Sequence, residues 1–273
     1  MKSDSSTEES PLVERYKFTI SYNGTAFSGF QRQGTARTVQ LELENALRKL
    51  GWKEESIAGA GRTDSGVHAA GQVVSAGMEW RHGEEQLRNA LNAALPPDLA
   101  VLKAEKAAPD FHARYSALSR TYRYQICFSP ARLPLREDYS WRIWPKLSIE
   151  DLNSISRHFT GIHEFRAFGS PPRKDRSTVR EIFTNSWVQQ SDDEAFFVIE
   201  ANAFLYHMVR RIVFLQIAYA KGNVSEEEII RAVRDGIDAK PGLAPARGLQ
   251  LWSVRYPGPG EDRETRRMNK WRE

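Results

Sequence analysis

The strongest constraint on how this chain folds is an order of hydrophobic periods that occurs twice. Residues 15–22 alternate, with Tyr16, Phe18, Ile20 and Tyr22 on one face, which is the two-residue period of a strand. Residues 38–50 switch to helical spacing through Val39, Leu43, Leu47 and Leu50, with Thr38 as N-cap and Gly51 as stop. A short strand near Ile57, a glycine-rich loop and a strand over 72–78 follow. Residues 84–95 are amphipathic through Leu87, Leu91 and Leu95 and end at Pro96-Pro97, and 99–106 read as a strand. The resulting order, β-α-β-β-α-β, is the split βαβ or ferredoxin-like pattern.

The second half reads β-α-β-β-α-α-β. Residues 118–128 alternate through Leu118, Tyr122, Tyr124, Ile126 and Phe128. A helix over 148–159 opens with the capping-box pair Ser148 and Asp151. Strands are expected over 179–189 and 195–201, joined by the polar turn 191–194. Residues 205–221 are apolar nearly all round, which predicts a buried helix stopped by Gly222. A capped helix starts at Ser225, with Glu228 three residues on, and 249–256 form the last strand.

The expected fold class is therefore α+β. Two ferredoxin-like, RRM-like βαββαβ units form a largely antiparallel sheet with helices packed on it and an active-site cleft between the units. The expected organisation is a mobile N-terminal tail over 1–13, an N-terminal α+β domain over 14–112 that carries the candidate loop, a C-terminal α+β domain over 113–256, and a mobile charged tail over 257–273. The segment Phe27-Ser-Gly-Phe30 before Thr38-Val39-Gln40 parallels Phe165-Arg-Ala-Phe168 before Thr178-Val179-Arg180, a weak trace of duplication.

Composition removes several classes of function. With 40% hydrophobic and 27% charged residues, the chain can bury a core and solvate its surface. No apolar run approaches the roughly 18 residues that cross a bilayer, and the acidic, polar start reads as neither signal nor transit peptide. One cysteine, Cys127, makes an internal disulfide or a cysteine metal cluster impossible, so a reducing cytoplasm is expected. The 39 basic and 35 acidic residues sum to +4, which says less than their clustering. Arg114, Arg120, Arg123, Arg132 and Arg136 lie among Phe111, Tyr115, Tyr122 and Tyr124, while Arg166, Arg173, Lys174, Arg176 and Arg180 form a second group. Arginines beside aromatic rings suit RNA, whose phosphates meet the charges while its bases stack.

The loop that starts at Gly59, G-A-G-R-T-D-S-G-V-H-A, resembles a phosphate cradle only on its surface. A dinucleotide fingerprint needs glycine where Asp64 stands, and a P-loop needs lysine where Val67 stands. What remains is a turn whose glycines allow unusual backbone angles and close approach of a ligand. Asp64 is then either the cap of an Asx-turn or a nucleophile kept ionised by a neighbouring arginine, with Arg62 two residues away. The six histidines show no zinc spacing, no G-x-S-x-G elbow appears, and His68 and His207 read as structural.

With G-R-T-D-S-G-V-H-A in view, the chain resembles the bacterial tRNA pseudouridine synthase I family. The resemblance runs from about Tyr16 to Tyr256 and includes Phe111-His-Ala-Arg-Tyr-Ser-Ala117, Arg120-Thr-Tyr-Arg-Tyr124, Asn202-Ala-Phe-Leu-Tyr-His-Met-Val-Arg210 and Ala244-Pro-Ala-Arg-Gly-Leu249. The family loop usually carries alanine where this chain has Ser65. The resemblance implies isomerisation of uridine to pseudouridine at positions 38, 39 and 40 of the tRNA anticodon stem-loop. It implies no cofactor, metal or nucleotide, no membrane partner, and a homodimer in which one tRNA touches both subunits. It also implies Asp64 as the catalytic residue, with Arg62 beside it, Tyr122 stacking on the target base, Arg210 paired with the aspartate and Leu249 as an apolar pocket residue. Arg210 sits on the apolar helix, where a buried arginine needs an acidic partner, so it is expected to reach Asp64 across the two halves. Two rivals remain at this point. One is an RNA-binding module, whose RNP signature is absent from both halves, and the other is an N-glycosidase that would release free uracil.

Overall fold

The computed structural model describes residues 13–171 and 177–258. The expected tails therefore lie outside the described residues except for 13, 257 and 258, as do Arg173, Lys174 and Arg176 of the second basic group.

The first unit follows its sequence periods closely. Strand β1 (Glu14–Tyr22) buries Tyr16, Phe18, Ile20 and Tyr22 on one face. Helix α1 (Val39–Lys49) starts where the Thr38 side chain accepts from Leu41 N, and Gly51 follows it with φ +91°. Its Leu43 and Leu47 are fully buried, and each contributes about 1.5–3 kcal/mol of burial. After the two-residue β2 (Ala58–Gly59) come β3 (His68–Met78), α2 (Glu84–Ala94) and β4 (Leu99–Lys106).

In the second unit, β5 (Ser119–Phe128) is followed by β6 (Trp141–Ile143), α3 (Ile149–Ser156), β7 (Gly161–Glu164), β8 (Val179–Ser191) and β9 (Glu194–Ala201). Then come α4 (Met208–Ala220), α5 (Glu226–Asp235) and β10 (Leu249–Arg255). Four details differ from expectation. β3 starts at His68 and not at 72. β6 and β7 add two strands too short to show a period, and α3 gives way to a 3₁₀ turn at Arg157–Phe159. Helix α4 begins three residues late because His207 takes a left-handed backbone, φ 66°, which no α-helix accommodates. The α5 capping box at Ser225 and Glu228 forms as expected.

All ten strands among the described residues join one sheet, in the order β4-β1-β3-β10-β5-β9-β8-β7, with β2 on β3 and β6 on β5. β4-β1-β3-β2 and β10-β5-β9-β8 repeat the same internal order, each with its last strand beside its first. Most pairings are antiparallel, but β10 meets β3 in parallel through Gln250 opposite His68 and Leu251 opposite Ala69. Gly71 is needed at this seam, since a Cβ there would come within 2.5 Å of the Trp252 carbonyl oxygen. The last strand of the second unit thus joins the units, and it brings Leu249 and Leu251 beside the β2–β3 loop.

Candidate active site

The β2–β3 loop is fixed from below at nearly every residue. Gly61 N donates to Gln72 Oε1 at 3.2 Å, and Gln72 Nε2 donates back to Gly61 O at 2.7 Å. The buried Arg120 guanidinium donates to Ala60 O at 3.2 and 3.0 Å, which ties the loop to β5. Thr63 O accepts from Phe30 N at 3.0 Å, and the Thr63 hydroxyl meets Tyr22 Oη at 2.8 Å. Asp64 opens a tight turn closed by Val67 N donating to Asp64 O at 3.1 Å, with Gly66 at φ +76°, where glycine is favoured. Segment 24–30 lies so close beneath that a Cβ on Gly24 would come within 2.0 Å of Val67 O. A loop held this way keeps its side chains in place before any ligand arrives.

Asp64 does not cap its own turn. Arg210 Nη1 donates to Asp64 Oδ2 at 2.8 Å, while Arg210 Nε donates to Ala244 O at 2.8 Å. The apolar α4 therefore turns Arg210 across the seam to an acid, and the neighbouring Arg211 faces the other way, to the carbonyls of Ala239 and Gly242 at 2.8 and 3.0 Å. Asp64 Oδ1 has no protein hydrogen-bond partner among the described residues. Both side chains line a cleft of about 610 Å³ between the units, together with Tyr122, Phe204 and Leu249.

Tyr122 is 7% exposed and meets Phe204 edge to face, ring centroids 5.0 Å apart. Burial pushes its phenol up to about 12, with Asp64 adding to the rise and Arg120 opposing it. The hydroxyl is therefore protonated at neutral pH and has no protein partner among the described residues. Leu249 is buried at 6% exposure, on β10 opposite Tyr124. Arg62 also lines the cleft but is exposed, and it forms no hydrogen bond or ion pair among the described residues. Burial pushes its pKa down, as does the like charge of Arg114.

His207 is the residue that sequence reasoning missed. Its Nε2 lies 3.4 Å from Asp64 Oδ2, and its ring stacks on Tyr206 with centroids 3.7 Å apart. Burial and the nearby Arg210 lower its pKa, against the pull of Asp64. No residue pattern signals it, since His207 precedes α4 with a left-handed backbone, φ 66°, outside helical i, i+3 geometry. His68, in contrast, is structural as expected. It accepts from Gly24 N through Nδ1 at 3.0 Å, and its Nε2 lies 2.9 Å from Asp138 O and 3.1 Å from Arg247 O. Among the described residues no three His, Cys, Asp or Glu side chains converge as a metal site, and no helix is long and apolar enough to cross a membrane.

A twinned α+β sheet with an arginine-held carboxylate in the cleft between its units marks that cleft as the candidate active site. The family follows from comparison with known proteins: a tRNA pseudouridine synthase family model matches residues 19–116 and 155–257, and the chain belongs to that family. It is 40% identical over 246 residues to the tRNA pseudouridine synthase A of Chloroflexus aurantiacus, covering 87% of each chain. With that of Limosilactobacillus fermentum it shares 35% over 252 residues, 90% of this chain and 98% of the relative. With that of Clostridium botulinum it shares 37% over 245 residues, 89% of this chain and 100% of the relative. Among solved structures, a Cbf5-Nop10-Gar1 complex aligns with 91% of this chain and 51% of its own at TM-score 0.37 and 12% identity, too slight a likeness to build on. The chain is thus an isomerase, a tRNA pseudouridine synthase, which removes the non-catalytic and hydrolytic rivals.

Proposed function

We propose that this enzyme isomerises uridine at positions 38, 39 and 40 of the tRNA anticodon stem-loop, with Asp64 as the nucleophile. The observation that carries the assignment is the asymmetric holding of Asp64. Oδ2 is fixed by Arg210 at 2.8 Å, while Oδ1 is left without a protein partner among the described residues, on a preorganised loop in the cleft. An ionised carboxylate held by one oxygen offers the other to the reacting nucleotide. The reaction breaks the bond from N1 to the ribose, turns the uracil and rejoins it through C5; the C5 proton leaves and N1 takes one up, so the product is an isomer. It is redox-neutral, so no electron carrier is called for.

The other residues take roles around that step. Tyr122 provides a flat ring for uracil at the cleft floor. Burial keeps its phenol protonated, so it can act as a hydrogen-bond donor to the base. Leu249 closes the apolar side. The target must leave its stack, at a cost of a few kcal/mol, and the unpaired Arg62 braces the gap it leaves. The positions 38 to 40 and a homodimer whose two subunits share one tRNA rest on the motif resemblance, and a cytoplasmic setting rests on the single cysteine, Cys127. The halves 14–112 and 113–256 are proposed as the two folding units that form the cleft. The positional claim is tested by mapping pseudouridine on an unmodified tRNA transcript incubated with the purified protein. Modification confined to 38, 39 and 40 is expected, and product only at other positions would overturn it.

A further inference from the structure

Besides the Asp64–Arg210 pair, the cleft holds a second cluster in which Tyr115 and Arg114 have no part in the reaction as proposed. It sits on the turn at residues 111–116, which is tied down on all sides. Ala113 N donates to Ser75 Oγ at 3.1 Å, Tyr256 Oη donates to Ala113 O at 2.7 Å, and His112 N donates to Ser116 Oγ at 3.1 Å. Tyr115 is nevertheless 65% exposed. The His112 imidazole covers one face of its ring, with centroids 4.3 Å apart and 36° between planes, and the Arg114 guanidinium lies 5.9 Å from the ring centre. A large ring held out by a rigid turn and backed on one side is a platform for a flat ligand, because every nucleobase has a π-face to offer it.

Two cations flank this platform. The guanidinium groups of Arg62 and Arg114 form no hydrogen bond or ion pair among the described residues, so no carboxylate there neutralises either. Both line the same cleft, and the like charge of Arg114 adds to burial in lowering the Arg62 pKa. Uncompensated like charges lining one cleft suit a phosphate. Arg62 is two residues from Asp64, and both line the same cleft, so a ligand held by Arg62 shares the cleft that Asp64 faces. Tyr206, 59% exposed and stacked on His207, makes a similar platform, but its support touches Asp64 and its variants would not separate binding from chemistry.

We infer that Tyr115, Arg114 and Arg62 form a subsite for the nucleotide beside the target uridine. Its base stacks on the open face of Tyr115, and its phosphate lies between the two arginines. This subsite rests on the tRNA substrate of the family and not on positions 38 to 40. The test combines Tyr115→Ala, Tyr115→Phe and Arg114→Gln with a tRNA carrying 2-aminopurine next to the target. Tyr115→Ala is expected to raise Kd and KM by about 5- to 100-fold, the usual worth of one stacked base, while the rate at saturating tRNA stays close to wild type. Tyr115→Phe should bind as wild type does, since only the ring face is needed. Arg114→Gln should lower the slope of log affinity against log salt by about one. 2-Aminopurine fluorescence should be quenched by wild type and Tyr115→Phe but not by Tyr115→Ala. Wild-type affinity and quenching in Tyr115→Ala would overturn the subsite, as would a loss of saturating rate with KM unchanged. If Tyr115→Ala does not fold, an absence of quenching by wild type together with an unchanged salt slope in Arg114→Gln would overturn it equally. Quenching by an enzyme that modifies other positions would contradict the positional proposal and leave the subsite standing.

Discussion

At Asp64, position and charge are supplied by different parts of the chain. The loop fixes the backbone through Gln72, Arg120 and Tyr22, and Arg210 fixes the carboxylate from the other unit. Arg210 serves that purpose as a fork, with Nη1 on Asp64 and Nε on Ala244 O. Lysine has a single head group and cannot hold both in the same geometry. Arg210→Lys should therefore lower the single-turnover rate by about 100-fold, the usual consequence of a misplaced reacting group, with little change in tRNA affinity. Rapid-quench assays at saturating enzyme would measure it, and an unchanged rate would show that Arg210 does not position Asp64. This pairing was legible in the sequence because an arginine on a helix apolar nearly all round must find an acid. His207 was not, because its role depends on a left-handed backbone, φ 66°, that no residue pattern announces.

At the scale of elements, the segment before α1 is the bed on which the candidate loop lies. Gly24 has no room for a methyl group, whose carbon would stand 2.0 Å from Val67 O. Gly24→Ala should cost about 1–3 kcal/mol of stability in urea unfolding and lower activity as the loop shifts; an unchanged midpoint would mean that the bed yields freely. The start of β3 carries a pH dependence. His68 Nδ1 accepts from Gly24 N, so Nε2 carries the proton and donates to Asp138 O or Arg247 O. Burial lowers its pKa below the ordinary 6.5. In the unfolded chain His68 takes a proton as pH falls through about 6.5, whereas in the folded chain it does so only at lower pH. Its contribution to stability is thus fully present above about pH 6.5 and is lost as pH falls towards the folded pKa. Urea midpoints measured from about pH 8 to about pH 5 should fall on acidification, and His68→Gln should flatten that decline; an equal slope in the variant would show that another group is titrating.

Across the whole molecule, the cleft exists because β10 returns to lie between β3 and β5. It pairs with both units, which makes the sheet continuous beneath the site. Unfolding should accordingly give a single transition, coincident by tryptophan fluorescence and far-ultraviolet circular dichroism. Two separated transitions would mean that the proposed halves are stable without their seam. The repeated β-α-β-β-α-β order was legible from periodicity, and the cleft between the units was expected from the pairing of Arg210 with Asp64. The strand order was not, since the pairing of β10 with β3 joins residues far apart in the chain through two register positions, Gln250 with His68 and Leu251 with Ala69. The short β6 and β7 were equally invisible, because three or four residues are too few to display a period. The most direct test of the central claim is single-turnover pseudouridine formation on a tRNA transcript by wild type and Asp64→Asn, with tRNA binding measured alongside. Asp64→Asn should bind tRNA with near wild-type affinity and form no pseudouridine. Turnover by the variant at a rate near wild type would contradict the assignment of Asp64.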